Sequence, residues 1–206
     1  MASLQELDET LPAHFTLSNR NLIVIARARE ESVFFYDSID RNTTIVLLAE
    51  PNCYPIKRIF LEFMTDIGAT VIDLREKESF DSNYKMTKRS QQILAKLITE
   101  NSYDKIITHP KYSRNNDPQN REIFDFVSLM VRALGTNNHY TYNKIGVNGN
   151  PKLPCKVKMG IFELYCRMGN NNDEINRQML QNYINISSNI SGIRRVVASD
   201  MRQASD

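Results

Sequence analysis

Short runs of β-branched and apolar residues recur at 22–26, 44–49, 69–74 and 105–108, and each gives way to a turn or charged segment and then a longer stretch of helical periodicity. This alternation predicts a parallel sheet with crossover helices. The helical stretches are 31–39, 55–67, 85–100, 118–134, 156–167 and 173–184, with Pro55 and Pro118 placed as first-turn prolines and Gly68, Gly135 and Gly169 as helix stops. Within 85–100, Ile93, Leu94, Leu97 and Ile98 form one apolar stripe, while Lys88, Arg89 and Lys96 face water. Residues 139–145 supply a fifth strand, on which Tyr140 and Tyr142 share a face. The expected organisation is an N-terminal arm (1–20), one α/β domain (21–195) and a polar C-terminal tail (196–206), both ends being loose.

A chain of 206 residues suits a single domain with a sizeable core. Its 26 Lys+Arg against 24 Asp+Glu leave no concentrated charge, so neither nucleic acid nor a membrane surface is an expected partner. No apolar run approaches the roughly 18 residues of a membrane span, and the acidic start "MASLQELDETLPAHF" is unlike a signal peptide. A cytoplasmic protein is expected. Cys53, Cys155 and Cys166 lack zinc-site or redox-pair spacing and read as ordinary reduced thiols.

Ligands of open parallel sheets bind beyond the carboxyl ends of the strands, which directs attention to two turns. These are "ARAREES" after the first strand and "THPKYSRNNDPQNRE" after the fourth. The glycine signatures of dinucleotide, P-loop and serine-hydrolase sites are absent. His14 and His139 stand apart from any acid–nucleophile pattern.

The stretch "LIVIARAREESVFFYDSI" resembles the opening of the LmbE/PIG-L family of zinc-dependent de-N-acetylases, which act on N-acetylglucosamine and related sugars. There a first strand runs into A-H-P-D-D-E and an apolar helix. "ILAKLITENSYDKIITHPKYSRNNDPQNREIFDFVSLMVRAL" is similar to the family's second block, and "KVKMGIFELY" to its Lys-containing C-terminal helix. The resemblance implies a single Rossmann-like α/β domain, a mostly parallel sheet flanked by helices. It covers about residues 21–165.

The polar signature departs from the family's. By the resemblance, the first metal-binding His corresponds to Arg27, the Pro to Ala28, the general-base Asp to Arg29, the metal-binding Asp to Glu30 and the Glu to Glu31. In the second block the assisting His corresponds to Asp117, the Pro is kept as Pro118, and the third metal-binding His corresponds to Asn120. His109 is kept, and is expected to be a packed, hydrogen-bonded strand-end residue. Zinc hydrolysis needs about three protein ligands, a position open for water and a carboxylate base. Arginine offers no lone pair and repels a divalent cation. The family's Arg-x-x-Glu element is also out of place, the local sequence offering Lys57, Arg58 and Glu62 instead.

Two arrangements follow. In the first, Arg27 or Arg29 fills the metal's space and pairs with Glu30 or Asp117, with Asn120 capping the pair. In the second, Arg27, Arg29, Arg114 and Arg121 form a site for an anionic ligand such as a phosphate or a carboxylated sugar. The expected function is that of a catalytically inactive relative, without metal or other cofactor, serving as a binding or structural component for a sugar, an anion, a protein partner or a second copy. The alternative is a zinc-dependent deacetylase or amidohydrolase with a rebuilt site around Glu30, Glu31, His109 and Asp117. Segments 135–152 and 169–178, rich in Gly and Asn, are the candidate contact surfaces.

Overall fold

The computed structural model describes residues 20–28, 35–50, 54–111, 117–144, 156–169 and 173–201. Among them, strands β1 (Asn21–Ile25), β2 (Thr43–Glu50), β3 (Thr70–Lys77), β4 (Lys105–Thr108), β5 (His139–Lys144) and β6 (Ile190–Arg195) join in one sheet ordered β3-β2-β1-β4-β5-β6. All neighbours pair in parallel except β5 and β6, which run antiparallel. The helices are α1 (Tyr54–Ile67), α2 (Lys88–Glu100), α3 (Pro118–Ala133), α4 (Lys156–Gly169) and α5 (Asp173–Ser188). Strand order reverses at β1, which lies between β2 and β4. The ends of β1 and β4 therefore flank the crevice where such sheets bind ligands.

The near-continuous apolar runs of the central strands reflect burial on both faces. Leu22 and Val24 of β1 point to one side, into a core with Ile93, Leu94, Leu97 and Ile98 of α2 and Ile123, Val127 and Val131 of α3. Ile23 and Ile25 point to the other, against Ile56, Phe60 and Met64 of α1 and Ile161 and Tyr165 of α4. Tyr140 and Tyr142 belong to this second core, as their shared face requires. Cys166 is buried, while Cys53 and Cys155 lie outside the described residues.

Several boundaries differ from expectation for identifiable reasons. Helix α2 begins at Lys88 rather than residue 85 because Thr87 is its N-cap, the hydroxyl accepting from the Ser90 amide at 3.2 Å. The amide and hydroxyl of Thr87 both donate to Glu76, each at 2.8 Å. Strand β3 runs past Leu74 to Lys77 through an irregularity: Leu47 lies opposite Asp73, but Ala49 lies opposite Glu76. The extra residue falls at Leu74–Arg75, and Arg75 takes φ 55°, with its amide donating to Asp73 Oδ1 at 3.1 Å. Of the helix expected over 31–39, residues 31–34 lie outside the described set, and Tyr36–Ser38 form a single turn of 3-10 helix. Gly68 and Gly135 do end helices, with φ 81° and 67°.

The C-terminal end contains a sixth strand that the apolar pattern did not reveal. β6 is a short edge strand interrupted by Gly192, so it carries little alternation. Beyond it, Ala198–Met201 forms a 3-10 turn, and Asp200 receives a two-pronged bond from Arg194 at 2.7 and 2.8 Å. Asp200 thus ties this turn to β6, while residues 202–206 of the expected tail lie outside the described residues.

His139 opens β5 beneath α3, where Nε2 meets Thr108 Oγ1 at 2.8 Å and Nδ1 meets Ser128 Oγ at 3.1 Å. The ring also packs on Phe124, with centroids 5.0 Å apart. Burial pushes its pKa down from 6.5 to about 4, and nearby Asp200 opposes this only in part. The unfolded chain therefore takes up the proton first as pH falls. Stability from neutral His139 is complete above about pH 6.5 and is lost progressively toward pH 4. Denaturant titrations at pH 7 and 4.5 are expected to differ by about 2–3 kcal/mol from this group, and His139→Asn is expected to remove most of that difference. Asp200 and Glu76, whose pKa values are lowered from 3.8 and 4.5, contribute mainly at still lower pH.

Candidate functional site

The chain leaves β1 through Ala26 and Arg27, and the side chain of Arg27 turns toward the ends of β3 and α3. Its Nε faces the Glu78 carboxylate and its Nη1 donates to Asp117 Oδ2. Nη2 donates to the Ser79 carbonyl at 3.3 Å and to Gln119 Oε1 at 3.2 Å. The guanidinium also lies 4.6 Å from the centre of the Phe80 ring. Relative side-chain exposures of 13% for Arg27, 15% for Glu78 and 10% for Asp117 make this a largely desolvated cluster.

Local sequence explains each position. Asp117 precedes Pro118 and is the N-cap of α3, its Oδ1 accepting the amides of Gln119 at 2.9 Å and Asn120 at 3.1 Å. One carboxylate oxygen thus serves the helix and the other serves Arg27. Gln119 is fully buried. Its Nε2 donates to the Lys77 carbonyl at 3.2 Å, and its Oε1 also accepts from the Ser79 amide at 3.2 Å. The same loop is held at its far end by Glu76. Burial tends to raise this carboxyl's pKa, but bonds from Ser90, Tyr84 and Thr87 outweigh that and lower it. Burial and the Glu76 carboxylate together push the Tyr84 phenol up.

The residues singled out from sequence are only partly brought together. Arg27 and Asp117 pair directly, as in the first of the two arrangements. Asn120 adds its backbone amide to Asp117, although its side chain had been the expected cap. His109 is buried at the end of β4, its ring meeting Phe35 edge-on at 5.1 Å and Tyr142 at 5.5 Å. Arg121 points outward and donates to the Ser82 carbonyl at 2.5 Å. Arg29, Glu30, Glu31 and Arg114 lie outside the described residues.

Glu78, Ser79, Phe80 and Gln119 were not among the sequence candidates. They come from the β3–α2 connection and the first turn of α3, and their only sequence signal is the charged run "REKE" that breaks an apolar strand. Lys57 and Arg58 have structural partners: Lys57 pairs with buried Asp73 at 2.7 Å, and Arg58 with Glu62 at 3.5 Å along α1. Lys158 of α4 is buried, its ammonium 6.0 Å from the Tyr36 ring and 5.9 Å from that of Phe162.

The donor set among the described residues does not fit a zinc ion. Asp117 is committed to two helix amides and a guanidinium, Asn120 is a weak ligand, and Arg27 brings a permanent positive charge to the centre of the group. Among the described residues, no three of His, Cys, Asp and Glu are gathered so as to hold a metal. Among the described residues, the Arg27 guanidinium itself leaves little for an anion. Both Nη2 directions and one of Nη1 are occupied, and two carboxylates face the guanidinium, so an incoming oxyanion would have to displace one of them.

Neither a family pattern nor a curated sequence matches the chain. Solved structures do. The N,N'-diacetylchitobiose deacetylase of Pyrococcus horikoshii, determined with an inhibitor, superposes with a TM-score of 0.58 at 10% identity, over 86% of this chain and 84% of its own. The conserved protein TT1542 of Thermus thermophilus gives 0.53 at 10% identity, over 90% of this chain and 100% of its own. With its six-stranded, mostly parallel sheet covered by helices on both faces, the chain shares the fold of these two structures.

Proposed function

We propose that this chain is a non-hydrolytic protein on the deacetylase fold, acting as a binding or structural component, with the Arg27 guanidinium supplying the positive charge that a metal supplies in an active enzyme. The observation that carries this reading is the Arg27 cluster itself. Two carboxylates from different elements converge on one cation, as they would on a metal, but that cation can neither activate water nor polarise a carbonyl as a Lewis acid.

The cluster also bears on ligand class. Arg27 contributes one positive charge against the negative charges of Glu78 and Asp117, so the local balance disfavours phosphate and favours a neutral, hydroxyl-rich ligand. An N-acetylated sugar of the kind named for the Pyrococcus horikoshii relative satisfies that requirement.

Protein purified without chelator is expected to hold no stoichiometric zinc, to show no tight zinc site on calorimetric titration, and to release no acetate from N,N'-diacetylchitobiose. One tightly held zinc per chain together with acetate release would overturn the proposal in favour of a rebuilt deacetylase. Ligand-observed NMR with the same sugar separates the binding role from the structural one.

If Arg27 is the fixed cation, its removal is costly even where no catalysis is measured. Arg27→Ala is expected to lower stability by about 1–3 kcal/mol, since it leaves two poorly solvated carboxylates facing each other. Asp117→Asn keeps a capping oxygen but loses the charge, so a double-mutant cycle between the two isolates the ion pair. A coupling of about 1–2 kcal/mol is expected from denaturant titrations.

A further inference from the structure

Residues 78–83 join β3 to the segment that leads into α2, and their attachment is unusual. Beyond them the chain is well anchored: Met86 is buried in the core, Tyr84 packs against it and bonds Glu76, and the Thr87 amide donates to Glu76 at 2.8 Å. Residues 78–83 themselves bury no large apolar side chain. Phe80, the sole apolar residue in this stretch, is 74% exposed. Among the described residues, the contacts that hold the stretch to the rest of the molecule are mainly polar. Arg27 makes three of the contacts, to the Glu78 carboxylate, the Ser79 carbonyl and the Phe80 ring. Gln119 accepts from the Ser79 amide, and Arg121 donates to the Ser82 carbonyl.

We propose that residues 78–83 form a strap latched over the first turn of α3 by Arg27, and that it opens as a unit, independently of the sheet, when that latch is released. Opening swings the strap about its two anchors, the end of β3 and the Tyr84–Met86 segment. It uncovers Asp117 and Gln119, at the end of the sheet where ligands of this architecture bind. Segments held by few apolar contacts and several polar ones are those that open well below the global unfolding free energy. The strap meets that description, whereas its flanks do not. The inference is independent of whether the site retains any chemistry, since it concerns only access.

Amide hydrogen exchange on the intact chain tests this, because bonded amides lie on both sides of the boundary. The Ser79 amide reports attachment to Gln119, and those of Asp81 and Asn83, bonded to Ser79 Oγ and Asp81 Oδ1, report the strap's own turns. The Thr87 amide reports the anchor. Glu78→Gln removes charge from the strap alone and leaves the Arg27–Asp117 pair in place. It is expected to speed exchange at Ser79 by roughly threefold to tenfold, with Thr87 and the β1 and β4 amides unchanged. Arg27→Lys, which keeps the charge but loses the fork, is expected to speed it further. The proposal is overturned if Glu78→Gln leaves Ser79 unchanged, or if Ser79 and Thr87 shift by the same factor. Should Arg27→Lys fail to fold, Glu78→Gln alone decides.

Discussion

A guanidinium placed where the first strand ends is the constraint around which the ligand end of this molecule is arranged. Arg27 cannot shed its charge, so the chain must surround it with acceptors wherever it is withdrawn from water. Those acceptors come from the end of β3, from the strap and from the N-terminus of α3, elements distant in sequence and adjacent only because strand order reverses at β1. Each partner is in turn held by something else. Asp117 is fixed by the helix it caps, and Gln119 by the carbonyl of Lys77. On the α3 side the network is tied into the backbone through Asp117 and Gln119, which favours one arrangement of the charges over others.

This organisation separates two roles that a metal centre combines. A metal ion both holds its ligands together and reacts. On the proposed reading, cohesion here is supplied by a side chain that has no open coordination position. The neutral His139 beneath α3 shows the same economy at the other end of β5. It is a titratable group used as a buried hydrogen-bonding spacer, held far from its ordinary pKa by burial.

How much of this was visible in the chain depends on which physical signal each element leaves. The four parallel strands β1–β4 are legible because burial on both faces produces dense apolar runs. Helix α3 announces itself through Asp117 and Pro118 as well as through its stripe. Strand β6 left no such signal, since an edge strand needs only one apolar face and this one contains a glycine. The site was half legible. Arg27 and Asp117 stood out because they depart from a known signature, but Glu78 and Gln119 follow from tertiary proximity alone. No spacing along the chain relates residue 27 to residue 78. The N-cap Thr87 that starts α2 is itself held by Glu76, which belongs to another element.

The kink at Arg75 has a consequence for how the protein behaves among copies of itself. Among the described residues β3 is an outer strand of the sheet, with the backbone groups of one side turned away from β2. A flat strand in that position would be a template for a neighbouring chain to extend. Inserting one residue opposite Leu48, with Arg75 in the left-handed region and a charged side chain, breaks the regular spacing of those groups midway along the edge. The register a foreign strand would need is therefore interrupted, and the same irregularity that redirects the chain toward Glu78 also helps keep the sheet finite.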